Sequence, residues 1–120
     1  LSTAPLVQGA WLQPGAHLDL IGGFTPTMRE SDDECFRRGT VFVDTSEALM
    51  KAGDILDPIA SGAWAPTQLA ATLEDLCRSK HPGRTSADEI TVYKAVGTAL
   101  EDVAAASLAY DAFMAQGTAG

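Results

Sequence analysis

His17-Leu18-Asp19-Leu20-Ile21-Gly22-Gly23 is the stretch on which the fold turns. Its polarity alternates over five residues and then stops at two glycines, the pattern of a short strand closed by an elbow. Just upstream, Gln13-Pro14-Gly15 is a turn signal that leads the chain into this strand. Downstream, residues 29–38 carry Ser31, Asp32 and Asp33 at the front and Arg37 and Arg38 at the back, followed by Gly39, which predicts a helix oriented with its dipole and closed by a glycine. Thr40-Val41-Phe42-Val43-Asp44 is β-branched and apolar, suiting a strand covered on both faces. One or two helical turns are expected over 46–51. Residues 54–66 hold Pro58, Gly62 and Pro66 and read as an irregular connection, with Thr67 then capping a helix that runs through Leu69, Ala70, Leu73 and Leu76 to about Ser79. After the loop His81-Pro82-Gly83-Arg84, residues 89–93 form a third strand that breaks at Ala95-Val96-Gly97. Residues 98–115 place Leu100, Val103, Ala104, Ser107, Tyr110 and Phe113 at helical steps, with Glu101 and Asp102 in the first turn. Strands alternating with helices at this spacing predict an α/β fold with a parallel sheet.

Composition narrows the partners. The 120 residues are 46% hydrophobic and 20% charged, a balance that fits one globular unit. With 16 acidic against 8 basic residues the net charge is −8, which repels a phosphate backbone and argues against nucleic acid or anionic membrane as a partner. No apolar run approaches the roughly 20 residues of a bilayer span, and a cytoplasmic location is the expectation by default. Cys35 and Cys77 lack metal-ligand spacing and read as free thiols on helices, so no metal site is expected. Leu1-Ser2-Thr3-Ala4-Pro5 lacks an initiator Met and reads as the turn after a strand that the sequence does not contain, so the chain is expected to be a fragment.

Ligands of open parallel sheets sit outside the carboxyl ends of the strands, which here are Ile21-Gly22-Gly23, the turn after Asp44, and Lys94 to Gly97. The glycine pair suits close approach of a ligand to the backbone, or no more than a tight turn. The G-x-G-x-x-G dinucleotide motif is absent. His17 and His81 have no partner at a triad or metal spacing, and Asp19 reads as a strand-edge carboxylate before it reads as a general base. Asp54 and Asp102 are expected to cap helices or turns, and Trp11 and Trp64 to pack.

The ordered series Pro14-Gly15-Ala16-His17, Ile21-Gly22-Gly23, Pro26, Arg29-Glu30, Val43-Asp44, Gly53-Asp54, Gly83-Arg84, Tyr93-Lys94-Ala95-Val96-Gly97 and Glu101-Asp102 resembles the ornithine cyclodeaminase and mu-crystallin family from end to end. The resemblance implies that residues 1–97 are the C-terminal part of a Rossmann-type NAD(P)-binding domain. It implies that residues 98–120 are a helix returning to an absent substrate and dimerisation domain, with an apolar face meant for it, and that the whole protein is a homodimer. NAD or NADP is the implied cofactor, its glycine loop lying upstream. The family's nicotinamide-side contacts fall on the turn holding Thr3, on Ile21, Gly22 and Gly23, and on Ala95, where Ser is common. Substrate contacts fall on Phe24, Met28 and Val96. Cyclodeaminases follow the glycine pair with an aspartate and, four residues on, a lysine. Here those positions are Phe24 and Met28, which carry neither proton nor charge, so no catalytic residue is assigned and any proton donor lies upstream or in solvent. The chain is more similar to the mu-crystallin and ketimine reductase side, which implies an oxidoreductase reducing a cyclic imine or 2-oxo acid imine, or the reverse amino-acid dehydrogenation. A cyclodeaminase making proline and ammonia from ornithine, and a non-catalytic NADPH-binding crystallin-like protein, are the alternatives.

Overall fold

The computed structural model describes residues 1–117; residues 118–120, the end of the segment expected to reach a partner domain, lie outside the described residues. Strands β1 (His17–Leu20), β2 (Thr40–Val43), β3 (Leu69–Thr72) and β4 (Thr91–Lys94) form one parallel sheet in the order β1-β4-β2-β3. Helices α1 (Asp33–Arg38), α2 (Ala48–Lys51), α3 (Gly53–Ala60) and α4 (Leu73–Cys77) connect or flank them, and α5 (Ala99–Gly117) ends the described chain. The α/β class expected from the sequence is the class observed.

Register sets the faces. Leu18 pairs with Val92 and Leu20 with Lys94, while Val41 and Val43 meet the same two residues from the other side, so these six share one face. Leu20, Val41, Val43 and Val92 on that face pack with Phe36 of α1, Ile55 of α3, Ala48 and Trp64 into the core. Phe36 and Trp64 meet edge to face at 6.0 Å. Each fully buried large side chain contributes about 1.5–3 kcal/mol, enough to hold three short strands that have little stability alone. All of Val41, Phe42 and Val43 are buried, as a strand covered on both faces requires.

Four local expectations are corrected. The first helix begins at Asp33 and not at Arg29, because the backbone of 29–31 is already committed: Ser31 bridges Val7, the Leu6 and Val7 N–H groups donate to the Glu30 carbonyl, and the Glu30 and Ser31 N–H groups donate to Asp54. Asp32 then caps α1, accepting from the Cys35 N–H, and also accepts from the Gly9 N–H. Of residues 54–66, read as irregular, those from 54 to 60 belong to helix α3 with Pro58 inside it; Pro58 removes one ladder bond, and the helix ends two residues later with Pro58 buried in the core. Residues 69–72, read as helix, are strand β3, and Thr72 caps the short α4 that follows without a break. The direct junction of strand and helix is what simulated one helical period. The last strand runs over 91–94, two residues later than expected at its start, because Glu89 turns aside to accept from the Thr40 and Thr85 hydroxyls.

Helix α5 projects from this body. Its residues from Asp102 to Gln116 are exposed, and the molecule measures 59 × 33 × 25 Å. Among the described residues no helix is long and apolar enough to cross a membrane.

Candidate functional site at the strand ends

Because β4 inserts between β1 and β2, the three loops singled out at the strand ends become neighbours. The Ala95 N–H donates to the Leu20 carbonyl at 3.1 Å and the Asp44 N–H to the Lys94 carbonyl at 3.2 Å, so the two outer loops are tied to the central one.

Asp44 anchors one side. Its buried carboxylate accepts from the Val96 and Gly97 N–H groups, both at 2.7 Å, and from its own neighbour Thr45 at 2.7 Å. Gly97 has φ +81°, a left-handed conformation that suits glycine, and the turn delivers the chain to Thr98, which shares reciprocal hydrogen bonds with Glu101 at the start of α5. The Val96-Gly97 amides are therefore consumed internally. A cavity of about 600 Å³ opens beside this turn, lined by Asp44, Thr45, Thr72, Cys77, Thr98 and Glu101 among others; it does not include the glycine elbow.

The elbow itself has a different reason for its glycines than freedom of φ. Neither Gly22 nor Gly23 has a positive φ. A Cβ on Gly22 would lie 2.6 Å from Oε1 of Glu30, and one on Gly23 would lie 2.9 Å from Oδ2 of Asp54 and 3.4 Å from Nζ of Lys94. The pair makes room for charged side chains of this protein beneath the elbow. The Gly23 N–H donates to Oε2 of Glu30 at 2.9 Å, and Lys94 Nζ lies 3.2 Å from the same oxygen. Lys94 is fully buried and also lies 3.4 Å from Asp54, itself fully buried, whose Oδ1 accepts from the Glu30 N–H, the Ser31 N–H and the Ser31 hydroxyl. Asp54, expected to be a cap, is thus the buried anchor of residues 30–31. Burial acts to raise the Glu30 carboxyl, but the Gly23 N–H and the Lys94 ammonium outweigh it and hold the group below its ordinary range.

The surface that this network supports is apolar. Ile21 is 59% exposed and Phe24 49%, so both present hydrophobic area at the end of β1. Met28 is half-buried, its Cβ 3.4 Å from the position a Gly23 Cβ would take. Ala95 and Val96 are half-buried, Val96 packing against the core. Thr3 is exposed, in a turn joined to the elbow loop through the Arg29 N–H, which donates to the Ser2 carbonyl at 2.8 Å. The structure therefore gathers Ile21, Gly22, Gly23, Phe24, Met28, Ala95 and Val96 at one end of the sheet and ties the Ser2-Thr3 turn to the loop beside them.

Other candidates lie elsewhere. His17 shares a hydrogen bond of 2.8 Å with the Thr91 hydroxyl, and His81 accepts from the Gly83 N–H and stacks edge-on against Phe42. Asp19 is exposed on the sheet face opposite the core. Trp64 packs as expected, whereas Trp11 is 59% exposed. The sequence marks the turn after Asp44 and the stretch from Lys94 as strand ends where a ligand could sit, but it assigns no individual role to Glu30, Asp44 or Lys94. The available signal was a lone Lys closing an apolar strand beside two other strand ends.

Residues 1–117 match the model of the ornithine cyclodeaminase/mu-crystallin family. The chain is 43% identical over 108 residues to the Delta(1)-pyrroline-2-carboxylate reductase of Paracoccus denitrificans, covering 89% of this chain and 34% of that protein. It is 37% identical over 114 residues to the ketimine reductase mu-crystallin of Mus musculus, covering 94% and 34%. Among solved structures, that of Thermococcus litoralis Delta(1)-pyrroline-2-carboxylate reductase in complex with NADH and L-proline superposes with a TM-score of 0.88 at 33% identity, over 97% of this chain and 36% of that one. The chain spans about a third of the length of the relatives it matches.

Proposed function

Because the chain belongs to the ornithine cyclodeaminase/mu-crystallin family, we propose that the protein carrying it is an NAD(P)-dependent oxidoreductase that reduces a cyclic imine or 2-oxo acid imine, or runs the reverse amino-acid dehydrogenation. The observation that carries this reading is Phe24. It stands, half-exposed, directly after the glycine pair, where a cyclodeaminase needs an acid.

The strand ends fit a nicotinamide in kind: an apolar surface of Ile21 and Phe24 on one side and the locked Val96-Gly97 turn on the other suit a flat, weakly polar ring. Of the residues expected to touch the cofactor, Gly23 offers no free N–H, since Glu30 takes it. Contact at the elbow then comes from Ile21, the Gly22 and Gly23 backbone and, across the crevice, Ala95. Thr3 approaches from the turn tied to Arg29. Phe24, Met28 and Val96 line the substrate side and exclude water. When bound, the reduced cofactor supplies the hydride that goes to the imine carbon, and the imine nitrogen takes a proton from outside these residues.

In this reading residues 1–97 complete a Rossmann-type domain and residues 98–120 dock on a substrate and dimerisation domain, giving a homodimer. A solved relative, an archaeal alanine dehydrogenase with bound NAD, 28% identical, is described as a dimer. The test uses the full-length protein with NADH and NADPH against Delta(1)-pyrroline-2-carboxylate, other cyclic ketimines, and 2-oxo acids with amine. Oxidation of the cofactor is the expected result. Ammonia release from ornithine without net cofactor turnover would instead make it a cyclodeaminase, and tight NADPH binding with no turnover a binding protein.

A further inference from the structure

We infer that Glu30 is a positioning residue for this reaction: carried on the buried Lys94 ammonium, its carboxylate fixes the glycine elbow and so the height of Ile21 and Phe24 against the nicotinamide ring. The inference rests on the oxidoreductase reading above, and it goes beyond it by assigning a role to a side chain that touches neither ligand.

Three observations meet at Glu30. Its Oε2 accepts the N–H of buried Gly23 at 2.9 Å, and the Gly22 N–H beside it adds to the hold on the carboxylate. The Lys94 ammonium at 3.2 Å holds that oxygen, and Lys94 is fully buried on the central strand, immediately before the Ala95-Val96-Gly97 turn. The backbone of Glu30 is itself fixed, because Asp54 Oδ1 accepts its N–H at 2.8 Å. Through these contacts the carboxylate joins the loop after β1 to the end of β4, the two walls between which a ring at the strand ends would lie. Lys94 also balances Asp54, whose Oδ2 has no hydrogen-bond partner and lies 3.4 Å from the ammonium. A buried amide has its acceptor here in a side chain that reaches across seven residues of loop, so the elbow is only as rigid as that side chain. Hydride transfer is steep in distance and angle, and misplacement by about 1 Å costs on the order of 100-fold.

The test uses the full-length protein and four variants, Glu30→Ala, Glu30→Gln, Lys94→Met and Gly22→Ala. Amide hydrogen exchange of the peptide containing Gly23 reads the elbow directly, and cofactor affinity, imine KM and kcat read its consequence. Glu30→Ala is expected to raise exchange at the elbow at least about 10-fold and to lower kcat by about 30- to 100-fold, with cofactor affinity within about 3-fold. Glu30→Gln keeps an acceptor for the Gly23 N–H and is expected to restore most of both losses. Lys94→Met removes the anchor of Glu30 and the counter-charge of buried Asp54 together, so it is expected to be at least as impaired as Glu30→Ala. Gly22→Ala reaches the same end by another route: its Cβ, 2.6 Å from Oε1, displaces the flexible Glu30 carboxylate without touching the core. If Glu30→Ala does not fold, Gly22→Ala decides by the exchange criterion alone, because Gly22 itself belongs to the expected cofactor contact. Unchanged exchange with unchanged kcat in Glu30→Ala overturns the proposal, as does a Glu30→Gln protein as impaired as Glu30→Ala. A parent protein that reduces no imine overturns the oxidoreductase reading instead, and the exchange measurement alone then judges whether Glu30 holds the elbow.

Discussion

Two glycines in this site are required for opposite reasons, and substitution separates them. Gly97 has a φ of +81° and nothing near its would-be Cβ, so Gly97→Ala is expected to cost about 1 kcal/mol in backbone strain alone. Gly23 has an ordinary φ but backs onto Asp54, which three hydrogen bonds hold in place, so Gly23→Ala is expected to cost about 1–3 kcal/mol through overpacking. Denaturant midpoints of the two variants check both figures. Asp44→Asn places an amide N–H₂ or a poorer acceptor before the Val96 and Gly97 N–H groups, and about 1–3 kcal/mol is expected to be lost. The cysteines make a further residue-scale test. Burial, with Asp32 beside it, pushes the Cys35 thiol up to about 12, while Cys77 is exposed. Alkylation near neutral pH should therefore label Cys77 and spare Cys35 until the protein unfolds, as mass spectrometry would show. Sequence reading had both thiols free on helices, and it had the elbow residues as a group. What the sequence does not carry is the joining of Glu30, Lys94 and Asp54, because those contacts span 24 to 64 residues of chain.

Elements were legible where a period and a cap agreed. The strands at 17–20 and 40–43 and the helix at 99–117 were read close to their observed limits, since each has one uninterrupted pattern. Strand β3 was not, because its Leu69–Thr72 run continues into α4 with no Gly or Pro between them. Helix α5 is the element with the most exposed apolar side chains. Leu100, Val103, Leu108, Tyr110, Phe113 and Met114 are each between 48% and 77% exposed, six large apolar side chains open on one helix. If α5 docks on another domain of the full-length protein, Phe113→Ser costs that protein about 3 kcal/mol. In the 120-residue chain, where Phe113 is 71% exposed, the same change costs within about 0.5 kcal/mol. Equal effects in the two proteins would mean that the helix stays free.

At the scale of the molecule, an acidic chain with a net charge of −8 keeps several carboxylates in favourable contacts. The Thr40 hydroxyl and the Thr85 N–H hold Glu89 down to about 2, and the Ser61 hydroxyl and Arg29 hold Asp33 low against the opposing effect of burial. A carboxyl whose pKa is lower folded than unfolded contributes stability that is complete above the unfolded value and is lost as pH falls toward the folded one. Unfolding midpoints in urea should thus be flat above about pH 5 and decline toward about pH 2, with Glu89→Gln reducing the slope. A decline beginning above pH 6 would point to other groups. The sequence by itself determined the α/β class, the family resemblance and which loops end the strands, because local periodicity and ordered motifs are written along the chain. Only the tertiary structure decided that β4 lies between β1 and β2, and that a buried Lys with two carboxylates underlies the glycine elbow. Strand order and charge pairing are long-range choices, made by packing between residues whose separation along the chain carries no local signal.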